Sequence, residues 1–247
     1  MLNRVPRLYL LDGVEEIHSA EQVHQITRVL RLSEGDNIIG IHDQQEFLLT
    51  IAEIKSSKIT LQTVKKLEPK GTELQFDLKV YIPLLKGEKN EWVLQKCTEL
   101  GVTEFQFVEF NHSVKQNINW THKLERWKKI ITEAVEQSER VKLPIIKEII
   151  PLSQVSLKEN ELGISLVERF NETADAKGAS PRADLLFASN SNINCLSLIF
   201  GPEGGFSEAE KIILNQIGFQ PKSLGKRILR AETAIVVACG LMSRDFA

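Results

Sequence analysis

The sequence predicts an α/β protein with a largely parallel sheet, preceded by a small N-terminal β-barrel. Three observations carry this. From residue 74 onward, apolar strand-like runs alternate with helical patterns, as in chains that build parallel sheets. Before residue 72, short β-branched segments follow one another closely. Between 199 and 234 an apolar run enters Gly201-Pro202-Glu203-Gly204-Gly205, and a second loop follows a further helical segment. Three glycines and a proline within five residues fit neither a helix interior nor a central strand.

In the first part, Asn37 to Ile41, Glu46 to Ile54 and Lys58 to Val64 read as strands separated by small and charged residues. A helical segment precedes them, with Ser19 as its N-cap and Val23, Ile26, Val29 and Leu30 at helical spacing. Glu68-Pro69-Lys70-Gly71-Thr72 is the candidate linker, which divides the chain into 1–72 and 73–247.

The second part opens with Leu74, Phe76, Leu78, Val80, Ile82 and Leu84, a period of two. A helix is expected from Lys89 to Leu100, stopped by Gly101 just past its end. Val102 to Phe110 returns to strand. From His122 to Arg140, Leu124, Trp127, Ile130, Ile131, Ala134 and Val135 share one helical face. Strands are expected at Ile145 to Ile150, Gly163 to Val167, Asp184 to Ala188 and Cys195 to Phe200. Residues 168–183 read as a polar surface loop. Ser207 with Glu210 forms a capping box at the next helix. A short strand around Leu224 to Leu229 and a final helix, with Glu232 in its first turn, complete the pattern.

Composition narrows the function classes. A net charge of −2 argues against binding nucleic acid by bulk charge, while leaving local basic faces open. One such face lies between Ser113 and Lys147. There Lys115, Lys123, Arg126, Lys128, Lys129, Arg140, Lys142 and Lys147 outnumber Glu125, Glu133, Glu136 and Glu139. Another gathers Arg4, Arg7, Arg28 and Arg31 near Tyr9. A solvated helix face accounts for either cluster on charge alone. Cys97, Cys195 and Cys239 sit in apolar surroundings without close pairing, which suits reduced thiols in a cytoplasmic protein. The five histidines lack metal-ligand spacing, so no metal is expected. The apolar run Ala234 to Met242 falls far short of the roughly 20 residues that span a bilayer.

Each C-terminal loop also has a plain reading. Gly201 to Gly205 serves as a tight turn, and Ser223 to Ala234 as an edge strand running into a helix. The alternative is a backbone platform, where glycines let main-chain groups approach a ligand closely. Neither a dinucleotide-binding nor a P-loop glycine spacing is present.

Taken together, Gly201-Pro202-Glu203-Gly204-Gly205-Phe206-Ser207 and Leu224-Gly225-Lys226-Arg227-Ile228-Leu229-Arg230-Ala231-Glu232-Thr233-Ala234 closely resemble the signature of the RsmE family. These are S-adenosylmethionine-dependent methyltransferases that modify uridine N3 in 16S ribosomal RNA and belong to the SPOUT class. The resemblance extends over nearly the whole chain. It includes Val5-Pro6-Arg7-Leu8-Tyr9, Arg28-Val29-Leu30-Arg31 with Gly35-Asp36, Lys96-Cys97-Thr98-Glu99-Leu100-Gly101-Val102, and Arg126-Trp127 through Glu136-Gln137-Ser138, Arg140 and Pro144. Where the family commonly has Glu-Arg-Ser, this chain has Asn111-His112-Ser113, and its 168–183 stretch is longer than usual.

The resemblance implies a C-terminal SPOUT domain with a trefoil knot, a PUA-like RNA-binding barrel over 1–72 and a homodimer. It implies S-adenosyl-L-methionine held by Phe200, Gly201, Pro202, Glu203, Gly204, Gly205, Leu224, Gly225, Ile228, Leu229, Arg230, Thr233 and Ala234. Catalytic candidates are Arg230, Arg7 and Glu232. RNA contacts are expected at Arg4, Arg7, Arg28, Arg31, His112, Lys115, Arg126 and Arg140, with 16S rRNA or the 30S subunit as partner. Two other readings remain open: a non-catalytic RNA-binding or ribosome-assembly factor, and a knotted methyltransferase acting on tRNA.

Overall fold

The computed structural model describes residues 5–113, 119–168 and 194–245. They form two compact units, one running to Glu73 and including Val135–Leu143, the other comprising Leu74–Ala134 and the chain from Pro144 onward. The segment 135–143 is thus an addition to the first unit that the linker at 68–72 does not reveal. Arg4, Lys115, the strand expected over 184–188 and nearly all of the 168–183 loop lie outside the described residues.

The first unit is built on a five-stranded sheet in the order β1-β3-β4-β5-β2. Its strands are β1 (Arg7–Tyr9), β2 (Glu16–Ile17), β3 (Asn37–His42), β4 (Gln45–Lys55) and β5 (Lys58–Lys66). β1 pairs with β3 in parallel, and the other ladders are antiparallel. Two register shifts along β4 curl the sheet, as bulges do. Where the sequence suggests a small barrel, the described residues form a curled half-barrel sheet, with β1 and β2 at its edges. At three and two residues these edges are too short to show a period in the sequence.

Ser19 caps α1 (Ala20–His24), its Oγ accepting the Gln22 N–H at 3.4 Å. The helix widens into a π-turn over Gln25–Val29. That widening rotates Val29 off the apolar face, so Val23 and Ile26 are buried while Val29 is exposed. Leu8, Leu10, Ile17, Ile38, Leu49, Ile51 and Ile59 complete this core.

Among the described residues, two ion pairs of the unit are nearly buried. The Arg140 guanidinium donates to Glu73 from Nε and from Nη2, the latter at 2.8 Å, and the same carboxylate accepts the Val141 and Lys142 N–H groups at 2.9 Å. Burial pulls the Glu73 carboxyl upward, but Arg140 and the two backbone donors outweigh it and hold it below its ordinary value. Arg7 pairs with Glu46, both nearly buried.

The second unit is a six-stranded sheet in the order β11-β9-β10-β6-β7-β8. Its strands are β6 (Asp77–Ile82), β7 (Glu104–Glu109), β8 (Ile145–Pro151), β9 (Glu161–Leu166), β10 (Cys195–Phe200) and β11 (Gln220–Lys222). Every ladder is parallel, so all six carboxyl ends lie along one rim. The second short strand sits at 220–222 rather than at Leu224–Leu229, because Pro221 and Lys222 follow directly on the helix-ending Gly218 at φ 104°. β10 is inserted between β9 and β6 and is buried over most of its length, as an inner parallel strand is.

The helices are α2 (Lys89–Glu99), α3 (Trp120–Gln137), α4 (Glu208–Ile217) and α5 (Ala231–Asp245). α2 ends as expected, with Leu100 as C-cap and Gly101 beyond it at φ 95°. Trp127 of α3 is buried and stacks on Phe107 at 4.7 Å, with Trp120 edge-on to both. A buried aromatic of this size contributes about 2–3 kcal/mol through the area it removes from water. Cys97 of α2 faces Cys239 of α5, so these thiols, distant in sequence, are neighbours in the fold; both are free.

Candidate functional site

The rim formed by the carboxyl ends of β6, β7, β10 and β11 carries the loops that matter. In an open α/β sheet this is where ligands bind, above all where strand order reverses. Here the reversal falls at β6 and β10, adjacent strands whose neighbours were laid down in opposite directions.

After β10, the chain passes through Gly201 to Gly205 into the Ser207 capping box. Ser207 N–H donates to Glu210 Oε2 at 2.7 Å, and Ser207 Oγ accepts the Glu210 N–H at 3.4 Å. Glu210 also reaches outside its helix. Its Oε1 accepts the backbone N–H of Asn111, at the exit of β7, at 2.7 Å, while Asn111 Nδ2 donates to Ser207 Oγ at 3.1 Å. His112 sits beside the glycines, its Nδ1 at 3.3 Å from the Gly205 carbonyl oxygen. A Cβ at Gly204 would meet the His112 Cβ at 3.2 Å, so that glycine permits the approach. The exit of β7 is thereby fastened to the glycine loop.

After β11 and a bridge at Ser223, residues 224–230 form a loop without strand pairing, and α5 begins at Ala231. Ser223 Oγ donates to the Gly225 carbonyl at 3.1 Å. Arg230 is exposed at the loop's end, and its carbonyl accepts the Ala234 N–H at 2.8 Å. Glu232 stands in the first turn of α5 with a buried Oε2.

The two loops meet at a residue that sequence reasoning missed. Lys89, the first residue of α2, places Nζ 2.6 Å from Glu203 Oε1 and 3.5 Å from Glu232 Oε2. The hydrogen bond to Glu203 raises the Lys89 pKa above its ordinary value despite some desolvation, and lowers that of Glu203 correspondingly. In the sequence Lys89 is one charge at a helix start, 114 residues from Glu203, so local pattern offers no signal for this contact.

The other expected site residues divide clearly. Phe200 and Pro202 are buried, Gly201, Gly205, Leu224, Leu229, Thr233 and Ala234 are partly exposed, and Gly204, Gly225 and Ile228 are exposed. All belong to the two loops or their flanking elements. Arg28 and Arg31 lie exposed at and just beyond the π-turn in the first unit. Three of the expected RNA contacts are engaged within the protein. Arg140 is 2% exposed and chelates Glu73, so it holds the first unit together rather than meeting solvent. Arg7 is engaged by Glu46. Arg126, though half exposed, is paired with Glu91 at 2.7 Å and Glu88 at 3.3 Å. His112 borders the glycine loop. Among the described residues no cluster of His, Cys, Asp and Glu could hold a metal ion, and no helix is long and apolar enough to cross a membrane.

Residues 72–243 match the family model for an RNA methyltransferase domain. The ribosomal RNA small subunit methyltransferase E of Bacillus subtilis is 32% identical over 230 residues, which cover 91% of this chain and 88% of that protein. Its counterpart in Buchnera aphidicola subsp. Acyrthosiphon pisum is 33% identical, over 98% of this chain and 94% of its own. A Legionella pneumophila protein described as a methyltransferase, solved with bound SAM, superimposes with a TM-score of 0.81 at 27% identity, covering 98% of both chains. The Neisseria gonorrhoeae ribosomal RNA small subunit methyltransferase E shares the fold, with a TM-score of 0.81 at 23% identity over 98% of each chain. With the glycine loop, the α5 entry and nearly the full length matched, the chain belongs to the ribosomal RNA small subunit methyltransferase E (RsmE) family.

Proposed function

We propose that this protein methylates N3 of a uridine in 16S rRNA, using S-adenosylmethionine bound by the loops after β10 and β11. The observation that carries the reading is their convergence: Glu203 and Glu232, one from each loop region, meet at the same lysine. The residues present fit such a cofactor. Gly205 and Gly225 have φ of 71° and 126°, and a Cβ built on either meets nothing within 4 Å, so both loops leave open space beside their main chain. Glu232 adds a buried carboxylate oxygen with no hydrogen-bond partner.

When bound, S-adenosylmethionine supplies an electrophilic methyl group for an in-line displacement. The main chain of 200–205 and 224–229 binds and orients it, so that proximity accounts for much of the rate. Uridine N3 must give up its proton before it can act as a nucleophile. Arg230, exposed at the mouth of the second loop, offsets the negative charge that remains. Glu232, two residues on, presents Oε2 as an acceptor for the proton or for the Arg230 guanidinium. The base has to be unpaired or turned out of its stack to expose N3.

The curled sheet of the first unit, with Arg28 and Arg31 exposed beside it, is read as a PUA-like RNA platform. The second unit is read as a SPOUT domain whose trefoil knot follows from threading the chain at β10 and β11; the inserted position of β10 supports this. A cytoplasmic homodimer completes the proposal. The test is to incubate the protein with labelled S-adenosylmethionine and 30S subunits, free 16S rRNA or tRNA, then analyse the nucleosides. 3-Methyluridine in the ribosomal samples is expected. Its absence while the cofactor binds overturns the catalytic reading.

A further inference from the structure

We infer that Lys89 is a positioning residue that joins the two cofactor loops into one pre-formed site, through Glu203 on the first and Glu232 at the start of α5. The inference rests on the proposal that these loops hold S-adenosylmethionine. Its first support is geometric: one ammonium lies within 2.6 Å of Glu203 and 3.5 Å of Glu232. Residues 201–207 and 224–230, the loops after β10 and β11, have no strand pairing of their own. Ordering them at the moment of binding would subtract from affinity, and a bridge formed beforehand avoids that cost.

The second support is that the backbone beneath Lys89 is pinned. Asn90, its neighbour, is 2% exposed; its Oδ1 accepts the Leu85 N–H at 2.8 Å and its Nδ2 donates to the Pro83 carbonyl at 3.1 Å. On the other side Glu88, with Glu91 one residue beyond Asn90, is held by Arg126 of α3. Lys89 therefore reaches the loops from a fixed base. A lysine suits the task, because a point charge on a flexible stem can serve two carboxylates that share no common plane.

The third support is Glu232 itself. Its Oε2 is buried and, beyond the approach of Lys89, has no hydrogen-bond partner. A carboxylate in that position needs a counter-charge. At 3.5 Å the ammonium supplies one while leaving the oxygen able to accept from a ligand. Without Lys89, two carboxylates gathered at one point would repel each other and the loops would part.

The experiment is titration calorimetry with S-adenosylmethionine, together with kcat on 30S subunits, for Lys89→Ala, Lys89→Met and Lys89→Arg. Lys89→Ala and Lys89→Met should each raise the cofactor Kd by about tenfold and lower kcat at saturating cofactor by a similar factor. Lys89→Arg should recover most of both. In a Glu203→Gln background Lys89→Ala should weaken binding by less than it does in wild type, since part of the bridge is already gone. Wild-type affinity in Lys89→Met, or full additivity of the two changes, overturns the inference. Wild-type protein that binds no S-adenosylmethionine overturns the parent reading instead, a distinguishable result. Melting curves for each variant separate loss of the bridge from loss of the fold.

Discussion

Asn111 donates its backbone N–H to Glu210 Oε1 at 2.7 Å, so the carboxylate that closes the capping box of α4 also anchors the exit of β7. One side chain thus ends a strand, starts a helix and fixes the glycine loop between them.

Removing it should be felt in stability before chemistry. Glu210→Ala strips acceptors from Ser207 N and Asn111 N in a nearly buried setting. We expect a loss of about 2 kcal/mol. Ser207→Ala, which keeps the Asn111 anchor, should lose about 1 kcal/mol. Denaturant titration of both variants checks the order, and equal losses would show that the second anchor contributes nothing.

Arg140 and Glu73 form an interior ion pair of the first unit, and breaking one side leaves the other charge buried. Arg140→Ala should destabilise that unit by about 3 kcal/mol or more. Native-state hydrogen exchange should show the loss in the sheet spanning β1 to β5. A variant with unchanged exchange but weakened RNA binding would show that Arg140 serves RNA rather than the fold.

The same pair sets an acid limit. Glu73 is held below its ordinary carboxyl value, so its contribution is fully present above the unfolded value of about 4.3 and is lost as pH falls through the lower folded value. Between pH 7 and about 3 the wild type should lose stability more steeply than Glu73→Gln. Parallel slopes would place the acid sensitivity elsewhere.

Arg230→Ala should reduce kcat by about a hundredfold, while the Kd for S-adenosylmethionine changes far less. Nucleoside analysis and calorimetry measure the two separately. Turnover close to wild type would remove Arg230 from the mechanism.

Burial and the neighbouring Glu161 carboxylate push the Cys195 thiol up to about 11, and burial with the facing Cys239 drives the Cys97 thiol well above its ordinary value. Only the thiolate reacts, so alkylation of the folded protein at pH 7 should be slow and should accelerate toward pH 11 at Cys195. Mass spectrometry of iodoacetamide-treated protein reports the order, with Cys97 reacting only on unfolding.

Much of the architecture was legible because it is locally encoded. The capping box at Ser207, the stop at Gly101 and the alternation in β6 depend on residues a few positions apart. Val29 was misplaced because a π-turn breaks the 3.6-residue spacing, and no local residue announces one. The site was half legible. Its glycines and Arg230 stand out in the sequence, whereas Lys89 with Glu203, Asn111 with Glu210 and Glu73 with Arg140 are joined across 114, 99 and 67 residues. Such pairs are chosen by the path of the chain, which periodicity does not contain. Arg140 shows the same limit from the other side, since a basic residue in a basic stretch gives no sign that a carboxylate 67 residues away is its partner.

The first unit is assembled from two stretches of chain separated by the opening strands and helices of the second. On the ribosome, Tyr9 must wait for Glu136, whose Oε1 accepts its N–H at 2.8 Å, and Glu73 must wait for Arg140. The amino-terminal sheet therefore cannot mature as an independent product of early synthesis, although it is translated first. A nascent chain halted near residue 100 would carry an unpaired Glu73 and an unfastened β1. Its completion is timed by the emergence of residues 135–143.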